Sequence, residues 1–179
     1  MRASAVLVAL LLIGSAALAD EAPPPIEKTV VVDATPAQVW QTFTTSEGAT
    51  TFFAPKARIV LALGGEYEMY FMPSAPAGSR GSEGMRVLAY APQRMLAFTW
   101  NAPPKFPAIR KAPPQTWVVV LLAPEGRAGA RTKVTLLHLG WKPGPDWRAV
   151  HDYFERAWSV VLERLGRRFK QGPIDWAKE

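Results

Sequence analysis

The chain contains no cysteine. That absence excludes thiol catalysis, Cys-ligated zinc and iron–sulfur chemistry, and it leaves an exported form to rest on its core without disulfides. Histidine is scarce, with His138 and His151 the only two, and no H-E-x-x-H spacing is present to suggest a zinc protease. Acidic residues are few beside basic ones, 15 against 21, for a formal charge of +6. The basic residues are scattered except for Arg164, Arg167, Arg168 and Lys170 near the end of an expected helix, where they complement the helix dipole. This charge reads as a solvated basic surface open to peripheral contact with an anionic membrane, and no nucleic-acid partner is expected. Long apolar runs are missing after the N-terminus, so the mature chain is expected to be soluble.

Aromatics, by contrast, are plentiful, with seven Trp and eight Phe. Such side chains fill cores and line ligand pockets equally well, and the count does not separate the two uses. At 179 residues and 20% charged, the composition is that of one ordinary globular domain. Arg2, the apolar stretch Val6 to Ile13 and the small-x-small Ala17-Leu18-Ala19 have the layout of a secretory signal peptide. Cleavage is expected after Ala19, which places the mature protein in the periplasm or outside the cell. The expected division is a signal peptide at 1–19, a Pro-rich flexible lead at 20–25, the domain at 26–172 and a tail at 173–179.

Within the domain, residues 26–32 are β-branched and apolar and read as a strand. Thr35-Pro36 is an N-cap followed by proline at the first helical position. The helix it opens carries Val39, Trp40 and Phe43, and Ser46 looks like the cap of a second short helix. From residue 57 the pattern alternates. Strands are expected at 57–63, 66–72, 84–90, 95–100, 116–122 and 132–139, with Tyr67, Met69 and Phe71 on the inner face of the second. The segment 101–114 is Pro-rich and basic, and reads equally as a functional loop or a long connection. Val150, Phe154, Trp158, Val161, Leu162, Leu165 and Phe169 recur at helical spacing over 146–169, a helix about 36 Å long. Strand, two short helices, a run of strands and one long helix make an α+β fold: a curved antiparallel sheet of about six to seven strands wrapped around the last helix.

The run Val31-Val32-Asp33-Ala34-Thr35-Pro36-Ala37-Gln38-Val39-Trp40 resembles the opening of START-like (SRPBCC, Bet v 1-like) domains. Thr44-Thr45-Ser46-Glu47-Gly48, Gly64-Gly65-Glu66-Tyr67, Phe98-Thr99-Trp100 and Leu136-Leu137-His138-Leu139-Gly140-Trp141 resemble the branch named for activators of the 90-kDa heat-shock protein's ATPase. Ala157-Trp158 and Leu162-Glu163-Arg164-Leu165 are similar to its final helix. The resemblance implies a helix-grip fold with a cavity between sheet and long helix. Positions expected to line it are Phe53, Tyr67, Met69, Phe71, Met85, Phe98, Trp100, Trp117, His138, Phe154 and Trp158. The alternative is that these side chains close into a solid core. An exported copy would not meet the cytosolic heat-shock protein, so that activity is not expected of it.

Three functions remain open: binding of a small hydrophobic or amphipathic ligand, cyclase- or hydratase-type catalysis with His138 as acid–base, and protein interaction through 101–114. His138 and His151 with Asp152 or Glu155 have the donors for a metal site, but the reading of one interior and one helix-surface histidine fits the spacing better. The Gly78 to Gly84 stretch leads into no helix and lacks Gly-Lys-Ser/Thr, so it reads as an inter-strand loop and not a phosphate cradle. Ser82 has Arg80 where a nucleophile elbow needs glycine. Glu66 and Glu68 are expected to face solvent. No cofactor is expected.

Overall fold

The computed structural model describes residues 21–179. The signal-peptide reading at 1–19 lies outside them. Strand β1 (Ile26–Val32) leads into helices α1 (Pro36–Thr44) and α2 (Ser46–Thr50). Then come β2 (Lys56–Ile59), β3 (Tyr67–Tyr70), β4 (Val87–Ala91) and β5 (Met95–Trp100), a short α3 (Pro107–Lys111), β6 (Thr116–Glu125), β7 (Arg131–Leu139) and the long α4 (Pro145–Gln171). Five strands pair in the order β1-β7-β6-β5-β4, all antiparallel, and β2 pairs with β3. The two sheets are continuous in effect. Glu66 bridges Arg86, and the Tyr67 N–H donates to the Met85 carbonyl at 2.8 Å, so the β2–β3 hairpin extends the β4 edge. The result is the helix-grip arrangement, a curved antiparallel sheet of about seven strands closed over by α4.

Local chemistry explains the boundaries. Thr35 caps α1 in a full capping box with Gln38, and Pro36 occupies the first helical position. The cap of α2 is Thr45, not the expected Ser46: Thr45 Oγ1 accepts from the Gly48 N–H at 2.9 Å. Ser46 Oγ is otherwise engaged, accepting from the Ile59 N–H at 2.9 Å and so tying α2 to β2. The expected strand at 84–90 is shifted to Val87–Ala91, because residues 82–86 serve as the turn that meets β3. The segment 101–114 is no plain connection. It carries α3, and Phe106 and Ile109 pack on the core. Helix α4 ends at Gly172, whose φ of 96° suits glycine and stops the helix.

Strand register builds the core in rows. Val87, Phe98, Val118, His138 and Ile26 stand side by side across five strands, and all are at most 1% exposed. Facing them, α4 presents Val150, Phe154, Trp158, Val161 and Leu165, all buried. Alternation sends the intervening residues to the outer face. Trp117 sits between Thr99 and Leu139 on that outer face and is 38% exposed. The expectation that Trp117 lines an inner cavity is therefore corrected: its position in the period-two pattern turns it away from α4. Tyr70 departs from the expected alternation in the other sense. It is buried beneath the Arg80 guanidinium, 4.9 Å from its ring centre, while Phe71 is 40% exposed.

Candidate functional site: an aromatic cavity beside the long helix

Between the end of β5, the segment 101–114 and α4 lies a cavity of about 720 Å³, within the size range of small-molecule sites. Beneath it lies a packed aromatic cluster whose rings, Phe71 apart, are buried. Phe53 stacks on Trp100 with ring centres 5.7 Å apart, Trp100 meets Trp158 at 5.3 Å, and Trp158 stacks on Phe154 at 5.9 Å. Phe71 extends this wall from the β3 side, 6.2 Å from Phe53. Each ring comes from a different place: the residue group after α2, the end of β5, two turns of α4 and the end of β3. The wall thus exists only once the sheet has closed on the helix.

Five of the expected residues, Phe53, Phe71, Trp100, Phe154 and Trp158, line the cavity. Tyr67, Met69, Met85, Phe98 and His138 do not. They are buried in the packed layer behind it, each at most 2% exposed. Tyr67 stacks on Phe98 at 4.0 Å between ring centres, and its hydroxyl donates to the Phe43 carbonyl at 2.9 Å. Burial pushes the Tyr67 hydroxyl far above the ordinary tyrosine pKa, so it serves as a neutral donor.

His138 stands behind Trp158, with both ring nitrogens engaged. The Trp158 indole N–H donates to His138 Nδ1 at 2.9 Å, and Nε2 lies 2.8 Å from Thr116 Oγ1. Since Nδ1 accepts, Nε2 carries the proton and donates to Thr116, whose hydroxyl donates in turn to the Trp100 carbonyl at 2.8 Å. Burial, and secondarily the nearby His151, hold His138 well below its ordinary pKa. A neutral histidine with no free nitrogen and no face on the cavity is a structural element, which removes it as the acid–base group of a catalytic reading. Nor does it meet His151 as a metal partner: the Trp141 ring lies between them, 4.4 Å from His138 and 5.0 Å from His151. His151 donates through Nε2 to the Pro24 carbonyl at 3.0 Å, and Glu155 pairs with Lys28. Among the described residues no group of three or more metal-ligating side chains is assembled.

Sequence reasoning missed the polar rim. Arg80, Lys105, Arg110, Arg156 and Arg164 line the cavity with Ser82 and Asn101. The Gly78–Gly84 loop is organised around Glu83, whose carboxylate accepts from the Gly78 and Arg80 N–H groups at 2.9 and 2.8 Å and from the Arg80 guanidinium at 2.7 Å. Burial opposes its ionisation, yet these donors together hold the Glu83 carboxyl below its usual range. Arg110 reaches from α3 to the carbonyls of Gly81 and Ala102, each at 2.6 Å, and clamps 101–114 onto that loop. The available signal was the basic character of 101–114, with Lys105, Arg110 and Lys111, which carries no direction until that segment is placed.

The profile of the family described as activator of Hsp90 ATPase homolog 1-like protein matches residues 33–170. The chain belongs to this family. Its fold is the START-like type, which has ligand-binding and polyketide cyclase-like members. Similar solved structures include protein MLL2253 of Mesorhizobium loti, at 19% identity and TM-score 0.65, covering 84% of this chain and 100% of that one. The Aha1 dimer of Colwellia psychrerythraea has 17% identity and TM-score 0.63 over 84% and 98% of the two chains. CalU16 of Micromonospora echinospora has 20% identity and TM-score 0.58 over 84% and 76%. At these identities the likeness concerns the fold alone. No functionally curated protein matches the chain.

Proposed function

We propose that the protein binds one small hydrophobic or amphipathic molecule in the cavity between its sheet and long helix, and that it does so outside the cytoplasm. The observation carrying the first part is the 720 Å³ cavity, where the exposed Phe71, Met72 and Val160 lie over the packed rings of Phe53, Trp100, Phe154 and Trp158. An aromatic-walled concavity of this size gains by covering apolar ligand surface, roughly 25 cal/mol for each Å² removed from water. Supporting the second part is the N-terminal layout of Arg2, an apolar stretch and Ala17-Leu18-Ala19.

The test is native mass spectrometry of protein purified from cell envelope fractions, repeated after organic extraction. A discrete adduct that extraction removes is the expected result. Titration with a naphthyl-type apolar probe should change the tryptophan emission, because Trp100 and Trp158 form the floor. An empty protein without any emission change would overturn the binding reading. A protein found in the cytosol with its first residues intact would overturn the export reading and leave the binding one standing.

A further inference from the structure

The rim of the cavity has a charge pattern that an apolar ligand does not use. Among the described residues, five that line the cavity are cations, namely Arg80, Lys105, Arg110, Arg156 and Arg164, and none is a carboxylate. Three of the five are already employed. Arg80 pairs with Glu83 at 2.7 Å, Arg110 is spent on backbone carbonyls, and Arg164 pairs with Glu179 at 2.9 Å. The other two are not neutralised. Lys105 lies over the Tyr153 ring at 4.7 Å and over Phe106 at 5.1 Å. Neither Lys105 nor Arg156 has a carboxylate within ion-pair distance among the described residues. Tyr153 and Arg156 are three residues apart on α4 and therefore neighbours on one helix face. The ring under Lys105 and the base of Arg156 thus belong to the same stretch of rim.

We propose that the ligand is a single-chain anionic amphiphile, a long-chain carboxylate, with its tail on the aromatic floor and its head between Lys105 and Arg156. This rests on the ligand-binding reading above and adds the sign and place of the head group. A carboxylate there accepts charge-assisted hydrogen bonds, which are shorter and stronger than neutral ones. A neutral head forgoes them, and a cationic head meets repulsion from Lys105 and Arg156. The cavity volume suits one tail, since sites of about 300–1,000 Å³ hold one drug-sized molecule and not a two-chain lipid.

Calorimetric titration with dodecanoate, dodecanol and dodecyltrimethylammonium, each below its aggregation threshold, separates the possibilities. Dodecanoate is expected to bind about tenfold more tightly than dodecanol, and the ammonium compound most weakly. Added salt should narrow the gap, because the rim is exposed to solvent. The double variant Lys105→Gln/Arg156→Gln should bring the ratio of acid to alcohol affinity close to one. Because the salt series uses the unaltered protein, the result does not depend on the variant folding. Equal affinity for acid and alcohol in the unaltered protein would overturn the head-group inference while leaving the cavity reading intact. Binding of none of the three would end both. Association only with phosphatidylglycerol vesicles, and with none of the monomeric amphiphiles, would mean that the rim docks on a membrane surface, and would likewise overturn the inference.

Discussion

The indole of Trp158 donates a hydrogen bond to Nδ1 of His138 at 2.9 Å, and so joins the floor of the cavity to the central row of the sheet. The bond fixes the tautomer of His138, whose Nε2–H continues to Thr116 and from there to the Trp100 carbonyl. Two walls of the cavity, Trp158 on α4 and Trp100 on β5, are thereby held by one buried polar chain. An apolar floor alone would let the indole choose among rotamers. The polar chain selects one, and this is how a cavity can stay open beside a well-packed core.

Replacing His138 with Leu keeps the volume close but removes the acceptor for Trp158. A buried donor left unpaired costs about 1–3 kcal/mol, and the ring contacts with Trp141 and Phe154 are lost as well. Urea denaturation of His138→Leu should give stability lower by about 2–4 kcal/mol. The Trp158 emission should also report a changed environment. A stability loss below experimental error would mean that the chain from Trp158 to Trp100 contributes nothing.

The same residue sets a pH dependence. Its folded pKa lies well below the ordinary value of 6.5, so between the two the unfolded chain binds a proton that the folded chain refuses. Stability is therefore unaffected above about pH 7 and falls as pH drops through 6.5, with a slope approaching about 1.4 kcal/mol per pH unit. Glu83 and Glu179 have lowered pKa values from an ordinary 4.5, so their contributions are lost only at lower pH. Stability measured from pH 7 to 5 should show the His138 slope, and His138→Gln should remove it. A slope that survives the substitution assigns the effect elsewhere.

How far the sequence foretold this can be judged from three tryptophans. Trp158 was legible, because its place in the helical repeat of Val150, Phe154 and Val161 points it at the sheet. Trp100 was legible from the alternation of β5 with Phe98. Trp117 was misassigned although β6 alternates cleanly, because a strand rich in apolar residues on both faces does not announce which face is inner. Only the pairing with Thr99 and Leu139 decides it. The division between wall and core was illegible for a related reason: Tyr67 and Phe53 are both large aromatics on the inner side, and which of them borders the cavity depends on how α2 and β3 meet. Lys105 and Arg156, 51 positions apart by their numbering, share a rim only because 101–114 folds back over α4.

Trp117 also explains a glycine. Gly140 has φ of 87°, and a Cβ at that position would lie 2.5 Å from the Trp117 ring. Gly140→Ala should therefore suffer both backbone strain and a clash, lowering stability by about 2 kcal/mol or more. The melting temperature would fall by about 4–8 °C. Truncating the indole isolates the second part: Trp117→Ala/Gly140→Ala should be less destabilised than the sum of the two single variants. Strict additivity in that cycle would show that the ring contact plays no part.

The strongest test of the cavity as the ligand's seat leaves its aromatic floor untouched. Ala157 lines the cavity from α4, half-buried, one residue before Trp158. A phenylalanine there is expected to project into the space that the ligand is proposed to occupy. The helix would lose only about 0.5 kcal/mol of intrinsic propensity, and the new ring would bury apolar surface in return. Ala157→Phe should accordingly fold with a melting temperature close to that of the parent, while probe or dodecanoate affinity drops about tenfold or more. Because occupancy falls while the fold is kept, the variant separates a ligand site from a packing defect. Unchanged affinity in a well-folded Ala157→Phe protein would place the ligand outside this cavity, and with it the role assigned to the floor of Phe53, Trp100, Phe154 and Trp158.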